Sequence, residues 1–133
     1  MKRLYSRKTF DQAIKRFSGA LMNDSKWEKL LGQLTDELGE IFVLYKLVYT
    51  EELFTARLDL PDDKPFFSEP IQYKEVEWIK LPANYQDYAL PDHRKAGKRV
   101  YEQDLERIAQ LIQSIGTFAL ERTPGSVKLY GYR

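Results

Sequence analysis

Two carboxylates can divide general-acid and general-base work when their environments hold one protonated and the other ionised. Three acidic pairs stand out in this chain: Glu51 with Glu52, Asp62 with Asp63, and Glu75 with Glu77. The last two are two residues apart in a strand-like segment, which places them on one face, whereas the other pairs fall in turns. None has a histidine partner. The single histidine, His93, lies in Pro91-Asp92-His93-Arg94-Lys95, where adjacent cations disfavour an imidazolium and no second metal ligand is suitably spaced. The chain has no cysteine, so thiolate chemistry, zinc knuckles and disulfides are all excluded. There is no G-x-x-x-x-G-K-[ST], G-x-G-x-x-G, G-x-S-x-G or H-E-x-x-H, which removes the motif-marked phosphate, dinucleotide, hydrolase and zincin readings. The expectation is a protein that binds rather than catalyses, with no cofactor and no metal.

Charge says what it binds. The net charge is +1, yet residues 1–23 and 93–133 are basic and residues 24–92 carry fifteen acids against seven Lys and Arg. Glu51, Glu52, Asp62, Asp63, Glu75 and Glu77 are expected to border a broad acidic face that steers a protein partner with a basic surface. Phe66 or Tyr85, in segments read as loops, would supply the desolvated aromatic anchor. The alternative is a nucleic-acid-binding or regulatory domain that uses Lys2, Arg3, Tyr5, Arg7 and Lys8 together with Arg94, Lys95, Lys98, Arg99 and Tyr101. Basic residues interleaved with aromatics are the footprint of such binding. A pI of about 7.8 and the acidic centre weigh against it.

The elements that would position these residues follow from periodicity. At 133 residues and 43% apolar, the chain is expected to form a single domain over residues 1–133. Thr9-Phe10-Asp11-Gln12 reads as a capping box opening a helix through Phe17, Ala20 and Leu21 to Asn23, and Ser25-Lys26-Trp27-Glu28 opens a second one ending at Gly39. Ile41–Tyr49 reads as a buried strand, Leu53–Leu60 as its hairpin partner and Glu75–Leu81 as a third strand. Residues 82–97 read as a loop, 98–115 as a helix, and 117–121 with 127–132 as a hairpin across Pro124-Gly125. The fold class is therefore α+β, in the order ααβββαββ, with about five antiparallel-rich strands. Phe17, Leu31, Leu34, Val43, Leu58, Trp78, Leu105, Ile108 and Ile112 are expected to share one core. No segment reaches the roughly 18 apolar residues of a membrane span, and no secretory signal opens the chain, so a cytoplasmic protein with no membrane contact is expected.

Three short segments carry a resemblance: Leu21-Met22-Asn23-Asp24-Ser25-Lys26-Trp27, Val76-Glu77-Trp78 and Tyr130-Gly131-Tyr132-Arg133. In these the chain resembles a family of small bacterial domains of unknown function, some of whose architectural neighbours are immunity proteins that neutralise toxins. The resemblance implies a bacterial cytosolic protein acting by binding, as an immunity-type inhibitor of a toxin would. It implies no catalytic residue.

Overall fold

A five-stranded, wholly antiparallel sheet in the order β2-β1-β3-β7-β6 organises the chain. Its strands are β1 (Ile41–Leu47), β2 (Leu53–Leu58), β3 (Val76–Pro82), β6 (Leu120–Thr123) and β7 (Ser126–Tyr130). A separate two-stranded ribbon pairs β4 (Asn84–Tyr88) with β5 (Lys98–Glu102), and the helices are α1 (Arg7–Ile14), α2 (Asp24–Leu38) and α3 (Leu105–Ile115). The computed structural model describes residues 7–39, 41–58, 72–88 and 98–133. The α+β class and the expected sheet are present. Asp62, Asp63, Phe66 and His93, with Lys2, Arg3, Tyr5, Arg94 and Lys95 of the two basic clusters, lie outside the described residues.

α2 forms where its signals agree. Asn23, in an extended conformation, accepts from the Lys26 amide at 2.8 Å, so the cap lies two residues before the expected Ser25. Trp27, Leu30, Leu31 and Leu34 make the buried stripe, and Gly39 ends the helix at φ 73, a conformation that glycine adopts without strain. α1 stops at Ile14 rather than Asn23. Beyond it the amides of Ser18 and Gly19 donate to Arg133 O, and Ala20 bridges to Tyr132, so strand-like pairing with the C-terminal segment replaces further helix.

The second departure lies between residues 82 and 104. Part of the expected loop is strand β4, and the start of the expected last helix is strand β5, with Tyr85 facing Tyr101 across the ribbon. α3 begins only after Asp104, whose carboxylate accepts from the Arg107 amide at 3.1 Å. Gln103 fastens the ribbon to the sheet. The β1–β3 ladder ends at Leu44–Lys80, and Pro82 has no N–H with which to extend it. Gln103 Oε1 accepts from the Phe42 amide at 2.8 Å, while its Nε2 donates to Phe42 O at 3.1 Å and to Pro82 O at 2.8 Å. A side-chain amide thus stands in for the missing backbone pair.

α2 and α3 pack together on one face of the sheet. Beneath them Leu30, Leu34, Ile41, Val43, Tyr45, Leu47, Ile79, Leu81, Ile108, Ile112, Val127 and Leu129 join one core. Of the residues expected there, Leu31, Leu34, Val43, Ile108 and Ile112 belong to it, Leu105 packs at its border, and the Leu58 side chain lies outside the description. Two do not belong. Phe17 packs on Tyr132 instead, with ring centroids 5.4 Å apart. Trp78 is buried at 9% exposure but points to the opposite face, because β3 carries a bulge: Leu47 pairs with Val76 and Lys46 with Trp78, leaving Glu77 as the extra residue.

Candidate functional site

The bulge decides the fate of the expected acidic face. Glu77 O accepts from the amides of Gly131 at 2.7 Å and Tyr132 at 3.2 Å, so its backbone joins the C-terminal segment to the sheet. Its carboxylate takes the Lys46 ammonium at 2.6 Å and the Arg16 guanidinium at 3.0 Å. Lys46 is itself buried and also donates to Leu47 O at 3.2 Å, so this ion pair is internal on the Lys46 side. Glu75 ends a 3₁₀ turn, Tyr73–Glu75, and is 1% exposed, which contradicts its expected place on a surface strand face. One of its oxygens accepts from Tyr49 Oη at 2.8 Å and the other from the Gln72 amide at 2.7 Å. A buried carboxylate so bonded fixes the chain entering β3 and offers nothing to a partner. Glu51 and Glu52 are exposed, with Glu51 3.9 Å from the Lys46 ammonium. Glu51 and Glu77 therefore meet around one lysine, and Glu75 stays apart inside the protein.

The strand side chains turned away from the helices form a different surface. Cross-strand pairing sets Thr55 opposite Leu44, Leu44 opposite Lys80, Lys80 opposite Lys128 and Lys128 opposite Glu121. In the neighbouring row Leu53 faces Lys46, Lys46 faces Trp78 and Trp78 faces Tyr130. The Lys128 ammonium lies 4.3 Å from the Trp78 ring centroid and 4.9 Å from that of Tyr130, while the Arg133 guanidinium is 4.8 Å from the Tyr130 ring. Neither Lys80 nor Lys128 has a carboxylate partner among the described residues. At the other end of this face Phe42 stacks on Tyr85 at 4.1 Å, and Tyr85 on Tyr101 at 5.2 Å, nearly parallel in both cases. Tyr85 is thus the middle of a half-buried aromatic file rather than a free loop anchor. Lys80 and Lys128 were not singled out by sequence reasoning, and Tyr130 was not assigned to a binding surface. The alternation Trp78-Ile79-Lys80 and Lys128-Leu129-Tyr130 carries the signal, but only the register puts the two lysines side by side.

A cleft of about 490 Å³ opens at the start of α2, lined by Met22, Asn23, Asp24, Trp27, Tyr73, Lys74 and Tyr132 among others. Tyr73 stacks on Trp27 at 6.3 Å, and Tyr132 Oη donates to Lys74 O at 2.6 Å. Burial, reinforced by the Glu28 and Asp24 carboxylates, pushes the Tyr73 phenol up to about 12, and burial also raises that of Tyr132. Both hydroxyls stay protonated at neutral pH, which suits hydrogen-bond donors and not general bases. Gly131 is the floor of this corner: a Cβ there would lie 2.5 Å from Val76 O and 3.3 Å from the Trp27 ring. Leu21–Trp27, Val76–Trp78 and Tyr130–Arg133 therefore meet at one packing junction.

Among the described residues no group of three or more His, Cys, Asp or Glu could hold a metal ion, and no helix is long and apolar enough to cross a membrane. Compared with known proteins, the chain matches no family model, and no curated protein or solved structure is significantly similar to it.

Proposed function

We propose that this chain is a non-enzymatic protein-interaction module whose binding surface is the open face of the five-stranded sheet. The observation that carries the reading is the composition of that face: half-buried Phe42, Leu44 and Tyr130, set around the buried Trp78, are interleaved with lysines on strands whose other face is apolar. Aromatic side chains backed by aliphatic stems are what interface centres are made of. Leu53, at 55% exposure on the edge strand, extends the apolar part. Of the carboxylate pairs that could have suggested catalysis, the one on a strand is committed elsewhere, Glu75 to Tyr49 and Gln72, and Glu77 to Lys46 and Arg16. An immunity-type inhibitor acts by this kind of binding.

The test is affinity capture from the source cell with the wild-type chain beside Leu53→Asp and Tyr130→Ala. The reading expects a protein that co-elutes in a stoichiometric complex with wild type and is lost with the variants. Retention of nucleic acid that nuclease releases, or of a protein indifferent to both substitutions, contradicts it.

A further inference from the structure

Lys80 and Lys128 stand directly opposite each other on β3 and β7, and like charges in that relation oppose sheet formation. Among the described residues no carboxylate forms a salt bridge with either, and Lys128 rests instead over the rings of Trp78 and Tyr130. Lys80 has apolar Leu44 on its other side, and Glu77 is already taken by Lys46 and Arg16. Glu121, across from Lys128, is exposed and accepts the Tyr130 hydroxyl at 3.3 Å. Arg16, Lys46, Lys80, Lys128 and Arg133 thus share this region with Glu51, Glu77 and Glu121 among the described side chains placed on it. The face is cationic at the point where sequence composition had suggested an acidic one.

From this juxtaposition we infer that the open face binds an acidic protein segment, whose carboxylates seat between the Lys80 and Lys128 ammonium groups. The inference rests on the protein-binding reading above and names its partner's chemistry. An extended segment sends alternate side chains to one side roughly 7 Å apart, a span that two lysines on neighbouring strands can straddle with their flexible stems. Single-stranded nucleic acid needs open ring faces on which bases can stack. Here Lys128 already lies over the rings of Trp78 and Tyr130, Arg133 is also over Tyr130, and Trp78 is only 9% exposed. At the lysine pair charge is offered and stacking is not, which favours carboxylates there.

Fluorescence anisotropy with a labelled oligoglutamate peptide, an oligothymidylate strand and an oligolysine peptide of equal length decides the matter. Oligoglutamate should bind wild type best, and Lys80→Glu with Lys128→Glu should weaken it on the order of tenfold or more. Lys80→Arg with Lys128→Arg keeps the charge and should keep binding, while Glu51→Lys with Glu52→Lys should not weaken it. Binding should fall as salt rises, since exposed charges are screened beyond about 8 Å at physiological ionic strength. Tighter binding of oligothymidylate or oligolysine, or oligoglutamate affinity unchanged by charge reversal, overturns the inference. Because this assay needs no native partner, its failure is separable from that of the module reading. A captured protein that binds the charge-reversed chain as tightly as wild type removes the acidic segment and leaves the module.

Discussion

The same strands present two unlike faces. Toward α2 and α3, Ile41, Val43, Tyr45, Leu47, Ile79, Leu81, Val127 and Leu129 are all essentially without exposure and all apolar in body. One residue along in each case, the opposite face carries Phe42, Leu44, Lys46, Trp78, Lys80, Lys128 and Tyr130, a mixture of rings, aliphatic stems and ammonium groups. A strand alternates its side chains by geometry, so both faces are equally well positioned by the backbone. What differs is what the positions do for the fold. The first set excludes water between the sheet and the two helices and supplies the hydrophobic driving force. The second set includes an opposed lysine pair that gives the isolated chain no stability. On the proposed reading, stability and recognition fall to opposite sides of one sheet.

The largest effects should come from the covered face. Leu34 and Ile108 are 0% and 3% exposed, and truncating either to Ala should cost about 2 to 5 kcal/mol in denaturant melts. Curves that overlay wild type would dissolve the distinction between the faces. A smaller loss tests how the aromatic file is held on the other side. Gln103→Leu leaves the Phe42 amide and two carbonyls without their partner, which should cost about 1 to 3 kcal/mol. It should also loosen Tyr85 from Phe42, so hydrogen exchange at the base of the β4–β5 ribbon should quicken with it.

The two faces also differ in how far they could be read in advance. α2 was legible because Asn23, the Trp27–Leu34 stripe and Gly39 all give the same answer. The closing hairpin was legible because Pro124-Gly125 separates two strand-like runs. Val100 and Tyr101, by contrast, continue the apolar spacing of Leu105 and Ile108, so local pattern favours helix. Pairing with β4 and the Tyr85–Tyr101 stack override it. α1 ends early for a related reason, since the residues after it pair with the C-terminal segment. Alternation in β3 could assign Trp78 to one face but not say which face the helices cover, and the bulge at Glu77 sends both Val76 and Ile79 inward. Glu75 looked exposed because nothing local discloses that Tyr49 and the Gln72 amide wait for its two oxygens. The lysine pair needs the β3–β7 register, a long-range fact. Tertiary pairing is what a single sequence conceals.

The smallest expected change in stability is also the most telling. Lys80→Glu replaces a like pair with an opposite one across β3 and β7, and such cross-strand pairs are worth about 0.2 to 1 kcal/mol. Urea denaturation of Lys80→Glu, run beside wild type and Leu34→Ala at low salt, therefore measures directly whether this part of the open face serves recognition rather than folding. The account predicts a midpoint equal to or slightly above wild type, together with weakened oligoglutamate binding. A midpoint that falls toward that of Leu34→Ala, or intact binding in a chain of unchanged stability, would contradict it.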